Sequence, residues 1–553
     1  MEKRLFSWLF AAITLVYLYS MWSIELMEND ATQYATICQQ MVEDNSWLTI
    51  HWREVEYLDK PPLLFWTSAA LFKVFGSSHF VYRISSFLVL LLGVFSIYKF
   101  GIKLYNQRVA RLAVLIFYSS LAVLLMVHDV RTDTMLTGFV IFSLWQLYLY
   151  LDQRKGINFL GAFTGIGLSM LTKGPLGLII PMIAFGPYLL LKGQWRDLFK
   201  WQWLAGLLWV GILLSPMLFG LYTQHGSTGL KFYFWTQSFG RLTGENSWVD
   251  NTEGIYFVHT YLWTFLPWSI LGIKALYSSV LRSFKKPLPD DFFLTSAVLV
   301  VFVAMSFSQY KLPHYIYVVF PMIALLMAND LMKMKEEASI KPWSIVQTMV
   351  GMILLTLAFL IIVFVFPGFP ILGWVVVVGL ILLMVMTFWF ENNLLSKTIV
   401  VSLLSMVVLN FVLVVHFYPN LLIYQASSQL ASQIKTLHIN PNQVCFLNSH
   451  RPAFDFYYGH RVPDYKKMAD FEESLSEKQE LYVVAFERKS DSINLITCQV
   501  DTLIHLKGFK VSQLTLPFLN ATTRSEVLHD CYFLKVTKKE PSANAQPSGS
   551  PLV

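Results

Sequence analysis

Residues 27–66 read MENDATQYATICQQMVEDNSWLTIHWREVEYLDKPPLLFW, between one apolar run and a long series of others. Asp30, Tyr34, Glu54, Glu56, Asp59 and Lys60 make the stretch polar, and Pro61-Pro62 return the chain to apolar sequence. It is too long for a simple connector, because loops beyond about 12–15 residues are functional or disordered. Trp47, Trp52, Tyr57 and Trp66 make it too apolar for disorder. It reads as a structured segment lying along a membrane surface and carrying part of an active site.

The flanking sequence sets the membrane. Of the 553 residues 55% are hydrophobic and only 14% charged, with a mean hydropathy of +0.51. Soluble domains run near 25% charged. Apolar runs long enough to span fall at roughly 5–22, 80–99, 112–127, 134–151, 157–171, 175–191, 202–222, 256–279, 291–308, 313–331, 343–365, 371–390 and 398–417. That is about 13 transmembrane helices, with 61–76 read as re-entrant or interfacial. The first run follows Met-Glu-Lys-Arg and is taken as an uncleaved span.

With the N-terminus inside, Lys and Arg cluster in the inside loops, as at Lys99, Lys103, Arg108 and Arg111. The net charge of +7 is therefore a topology signal and not a nucleic-acid footprint. The expected layout is a transmembrane domain over 1–418 with outside loops at 23–79 and 223–255, an extracytoplasmic α/β domain over 419–538, and a disordered tail over 539–553. In the α/β domain LLIYQASSQLASQIKTL and FEESLSEKQE read as helices, and QVCFLNS, LYVVAFERK and CYFLKVTKK as strands. Of the four cysteines, Cys445, Cys498 and Cys531 fall in this domain, so a disulfide there is open and no CxxC zinc motif exists.

The outside loops should be poor in basic residues, yet Lys60, Arg131, Lys173, Arg241 and Lys311 all fall there. Each has a plain reading: a snorkelling lysine, a solvated loop arginine, or a structural Arg–Asp pair in HDVRTD between Arg131 and Asp133. Asp30 is either a catalytic carboxylate or a first-turn acid favoured by the helix dipole. Tyr315 and His314 belong either to an interfacial aromatic belt or to a site. Their common side favours the site. Cations gathered at the outer face suit a lipid phosphate entering sideways between helices.

The pattern DATQYA at 30–35, Tyr57-Leu58-Asp59-Lys60-Pro61-Pro62, Arg131-Thr132-Asp133, Thr172-Lys173-Gly174-Pro175, Phe239-Gly240-Arg241 and Lys311-Leu312-Pro313-His314-Tyr315 resembles the polytopic lipid-dependent glycosyltransferases. These form the protein O-mannosyltransferase-like superfamily with the GT-C fold. The resemblance extends to the bacterial 4-amino-4-deoxy-L-arabinose (lipid A) transferase branch. It implies transfer of a sugar from a polyprenyl-phosphate carrier to a lipid or protein acceptor outside the inner membrane, with no nucleotide involved. By similarity Asp30 is the catalytic acid, and Lys60, Arg241 and Tyr315 bind the donor phosphate. Tyr34, Asp59, Arg131, Asp133, Lys173, Lys311 and His314 line the cavity. Three departures stand out: Ala31 follows Asp30 where an Asp-Glu pair is common, Asp59 precedes Lys60 where the aminoarabinose branch has Glu, and Trp235-Thr236-Gln237 replaces an acidic-His pair. No cofactor is required by the pattern, and a divalent metal is compatible with it. A lipid-linked sugar flippase is the other class that explains many spans. It calls for charges near mid-span and pseudo-symmetric halves, whereas here the charges cluster at span ends on one face.

Overall fold

The computed structural model describes residues 3–237, 240, 253–285, 287–334, 336–486 and 498–539. The chain forms two compact units. The first comprises Met1–Leu26 and Ile37–Pro419, and the second Met27–Thr36 and Asn420–Val553. The start of the segment that follows the first helix therefore groups with the C-terminal α/β region.

The first unit is a helical bundle. Among the described residues, eight helices are long and apolar enough to span a membrane, or ten when two bent pairs are each taken as one span. Three shorter apolar helices, Leu63–Phe75, Leu176–Leu191 and Phe292–Ser306, accompany them. This is a multi-pass membrane protein. The 61–76 run, expected to be re-entrant or interfacial, forms the regular helix Leu63–Phe75.

Two expected spans are broken. Gln107–Ser119 and Leu121–His128 meet at 57°, and Tyr256–Thr264 and Ser269–Ser283 at 118°. Pro267, which lacks an N–H, interrupts the second of these. The breaks satisfy one another: Leu121 N–H donates to Leu266 O at 3.1 Å, and Trp268 Nε1 donates to Ser119 Oγ at 2.9 Å. Irregular backbone is tolerated at membrane depth only when protein groups satisfy it in this way. Helices His79–Leu104 and Thr132–Gln153 cross closely at Gly138, where a Cβ would lie 2.3 Å from Val89 O. Small residues permit such approaches between membrane helices.

The first loop is ordered by its own polar groups. A two-stranded hairpin, β1 (His51–Trp52) and β2 (Val55–Glu56), turns at Arg53. The Gln40 amide clamps that turn, accepting from Arg53 N at 2.8 Å and donating to Arg53 O at 2.5 Å. Trp66 Nε1 donates to Trp47 O at 2.6 Å.

The second unit carries β3 (Val444–Leu447), β4 (Asp464–Tyr465), β5 (Glu480–Phe486), β6 (Cys498–Gly508) and β7 (His529–Lys538), in the order β4-β3-β5-β7-β6. β3 runs parallel to β4 and β5, and β7 antiparallel to β5 and β6. Helices Ala426–Thr436 and Pro452–Tyr458 contribute Leu430, Ile434, Phe454 and Tyr458 to an apolar cluster with Val444, Phe446 and Phe533. Phe471 and Leu475 of Met468–Lys478 join a second cluster with Cys445, Val483 and Leu534. Residues 27–36 are stitched to this unit. Glu28 N–H donates to Gln425 Oε1 at 2.9 Å, Ser427 Oγ to Glu28 Oε1 at 2.5 Å, and Thr36 Oγ1 to Pro452 O at 3.2 Å.

All four cysteines are buried and none is in a disulfide, so the open pairing is not formed. Burial pushes the Cys445 thiol up to about 12, and a thiol in that state is unreactive. We expect Cys445 to resist iodoacetamide until denaturant is added. Mass spectrometry of the labelled peptide checks this.

Candidate active site

Two helix ends build the polar centre of the first unit. Asp133 stands in the first turn of Thr132–Gln153, and Lys173 closes Gly156–Lys173. A tight turn joins the two helices, so both residues lie at the same end of the pair. A carboxylate at a helix N-terminus and an ammonium at a C-terminus each complement the local dipole. The side chains form an ion pair and are 5% and 12% exposed, Asp133 the more buried. Gly174, with φ of 74°, carries the chain out of the helix into Pro175, a conformation glycine takes without strain.

His314 and Tyr315 come from the turn Pro313–Val319. His314 Nε2 lies 3.6 Å from Asp133 Oδ2, so Asp133 serves Lys173 and His314 together. Lys173 Nζ lies 4.1 Å from the centroid of the Tyr315 ring, within cation–π range. Lys173 is thus held between a carboxylate and an aromatic face.

Lys60 reaches the same region from the first loop. It pairs with Asp59, and Tyr57 Oη donates to Asp59 Oδ2 at 3.5 Å. Gln237 donates to Leu58 O at 3.4 Å and also to Asp59 O, fixing the backbone from which Lys60 projects. A cavity of about 70 Å³ is lined by Lys60, Asp59, Lys173, Gln237 and Tyr315, with Leu136, Ile180 and Met305 as apolar walls. A second, of about 200 Å³, is lined by Asp129, Arg131, Asp133, Trp263 and His314. The Lys173–Asp133 pair stands between them, Lys173 on one and Asp133 on the other.

Arg131 and Asp133 do not pair with each other. Arg131 Nε donates to Asp129 Oδ2 at 2.9 Å, while Asp133 turns to Lys173. Once the helix begins at Thr132, Asp133 points along a different face from Arg131. Lys311 is buried, 6% exposed, just before the His314 turn. Asp30 opens the helix Asp30–Glu43, and with Tyr34 it belongs to the second unit. Arg241 lies outside the described residues. Among the described residues, no group of three or more His, Cys, Asp or Glu side chains could hold a metal ion.

Two contributors were not singled out by sequence reasoning. Gln237 belongs to the stretch that replaces the acidic-His pair, and nothing in the sequence marked its bonds to the Leu58 and Asp59 carbonyls. Arg83, fully buried, donates to Met21 O, Ile24 O, Glu25 O and His128 O. It ties the end of the first span to the end of Leu121–His128.

Residues 59–219, which include Lys60, Asp133 and Lys173, match the family model for dolichyl-phosphate-mannose-protein mannosyltransferase. The chain superposes on ArnT from Cupriavidus metallidurans, in a crystal structure bound to undecaprenyl phosphate, with a TM-score of 0.74. The chain has the ArnT fold. The superposition covers 91% of this chain and 97% of ArnT at 18% identity, and the apo form of ArnT gives 0.72. In sequence the chain is similar to undecaprenyl phosphate-alpha-4-amino-4-deoxy-L-arabinose arabinosyl transferases. It is 28% identical to that of Pseudomonas paraeruginosa over 61% of each chain. It is 27% identical to the second such enzyme of Proteus mirabilis over 57% of each. The matches thus span about three-fifths of the curated relatives' length. The GT-C architecture expected from the motifs is the one found, with a small C-terminal sheet region.

Proposed function

We propose that this chain is an integral-membrane glycosyltransferase. It moves a sugar from a polyprenyl-phosphate carrier to an extracytoplasmic acceptor, a lipid A-type glycolipid or a protein, by a single inverting displacement. The observation that carries this is the cavity flanked by Lys60 and Lys173, each ammonium held by its own carboxylate. Similarity to lipid-phosphate sugar transferases supports it. The membrane is the bacterial inner membrane, with the N-terminus inside and the C-terminal unit outside.

In this reading the acceptor oxygen attacks the anomeric carbon as the carbon–oxygen bond to phosphate breaks. The bonding pair leaves with polyprenyl phosphate. Asp30 takes the proton of a hydroxyl acceptor; a phosphate acceptor arrives ionised, and Asp30 then only positions it. The leaving phosphate gains a negative charge, and Lys60, Arg241 and the Tyr315–Lys173 pair stabilise it. Electrostatic stabilisation of this kind is the larger catalytic term.

The test gives the purified chain, in proteoliposomes, radiolabelled polyprenyl-phosphate sugars and a lipid and protein extract. With a hydroxyl acceptor, Asp30→Asn is expected to lower transfer by roughly 10²–10⁴-fold, the scale of general-base catalysis. Label that crosses the bilayer without covalent transfer, equally in wild type and Asp30→Asn, would identify a flippase and end the transferase reading.

A further inference from the structure

The second unit has a cavity of its own, of about 270 Å³, and the reading above gives it no role. It opens at the carboxyl ends of the parallel strands β3 and β5. Arg451 follows β3 through a short loop, and Phe486 ends β5. In α/β sheets, ligands bind in the crevice outside such strand ends. Lys510, just after β6, and His529, which opens β7, close the other side.

The charge in the cavity is arranged and not scattered. The Arg451 guanidinium lies 5.2 Å from the Phe486 ring centroid, and its Nη1 donates to His450 O at 3.3 Å. Stacking holds the planar fork in place while leaving its edge for an oxyanion. Among the described residues Glu28 is the one acid in the lining. Its carboxylate already accepts from Ser427, and burial raises its pKa against the lowering effects of Ser427 and Arg451. Gly508, opposite His529 on the neighbouring strand, keeps the space open. A Cβ there would come within 2.8 Å of His529 Nε2 and 2.9 Å of Cys531 Sγ.

We propose that this cavity is a binding site for a phosphate monoester carried on a sugar, with Arg451, Lys510 and His529 around the phosphate. Arg supplies bidentate recognition and Lys a mobile point charge. The volume equals roughly nine waters and so holds a sugar ring beside the phosphate. The phosphate belongs either to a soluble sugar phosphate or to a glycolipid headgroup. Glu28 and Asn29, which line the cavity, immediately precede Asp30. If the transferase reading holds, the cavity serves the acceptor, and that clause alone rests on it.

The experiment is calorimetric titration of the full chain in detergent with glucose 1-phosphate, then with inorganic phosphate. Saturable binding of glucose 1-phosphate is expected, weakened about tenfold or more in Arg451→Gln and in Lys510→Gln. Lys510 is exposed, so its variant reports on binding even if Arg451→Gln misfolds. No saturable binding to wild type, or wild-type binding by Lys510→Gln, overturns the site. Inorganic phosphate binding as tightly as the sugar phosphate overturns the sugar component. Nanodiscs carrying a phosphorylated glycolipid distinguish the two sources. Competition with glucose 1-phosphate supports a headgroup, and its absence supports a soluble ligand. Binding is read without turnover, so a chain that transfers sugar but binds nothing here fails only this proposal. One that binds but transfers nothing fails only the transferase reading.

Discussion

Lys60→Ala is expected to lower kcat about 10²–10³-fold, the scale of removing one preorganised donor from a developing anion, without lowering thermal stability. In the proposed reaction the donor is a phosphodiester with one negative charge. As its bond to the sugar breaks it becomes a monoester and gains a second. An ammonium beside it therefore binds the transition state more strongly than the ground state, and this difference appears in kcat. Pro61-Pro62 and the Gln237 clamp fix the backbone, so the Ala variant loses the charge and little else. Asp59, left behind, is 36% exposed and stays hydrated. Exposed pairs contribute only about 0–1 kcal/mol. Lys173→Met gives the contrasting result. It strands Asp133, which is only 5% exposed, and breaking a buried pair costs roughly 3–5 kcal/mol. That variant is expected to lose stability and activity together. Initial rates at saturating donor, run beside thermal melts, separate the two cases. A Lys60→Ala enzyme within about threefold of wild type would remove Lys60 from the phosphate site.

Some of this site was legible in the sequence, and the reason is the membrane. A lysine expected on the outer side of a span is anomalous enough to mark itself, and Lys60 and Lys173 line one cavity. Asp133 was marked by the same logic, but its partner was not. Sequence adjacency suggested Arg131, whereas the turn of the helix gave it Lys173. Among the described residues, eight of the expected runs are helices long and apolar enough to span, and apolar length alone marked those eight. The two breaks were not marked, because they depend on a backbone contact between Leu121 and Leu266, far apart in the chain. In the C-terminal region the strands β3, β5 and β7 showed as Val- and Phe-rich runs. β6 did not: it is an edge strand, and most of CQVDTLIHLKG stays exposed, so its sequence carries little apolar signal. The grouping of Met27–Thr36 with that region also left no local mark. It rests on hydrogen bonds from Glu28 and Thr36 to residues some four hundred positions later.

Arg83→Met is expected to give a loss of stability of roughly 3–5 kcal/mol, by analogy with a broken buried ion pair. Arg83 has no carboxylate among its hydrogen-bond partners in the described residues. Its guanidinium faces carbonyls: Nη1 donates to Met21 O at 3.0 Å and Ile24 O at 2.5 Å, Nη2 to Glu25 O at 3.1 Å, and Nε to His128 O at 3.1 Å. These carbonyls end the helix Lys3–Ser23 and the helix Leu121–His128, where the last C=O groups lack helical partners. Each helix terminus presents partial negative charge, so one cation serves both. Methionine fills much of the volume but leaves those carbonyls buried without donors. Each such group costs about 1–3 kcal/mol. Lysine keeps the charge, yet one ammonium cannot reproduce a planar fork spanning two helix ends, so Arg83→Lys is expected to recover only part of the loss. Melting in detergent, followed by monodispersity after heating, should order the proteins wild type, Lys variant, Met variant. An Arg83→Met protein that melts with wild type would show that the two helix ends are held by their apolar packing alone. The arginine would then be dispensable to the fold.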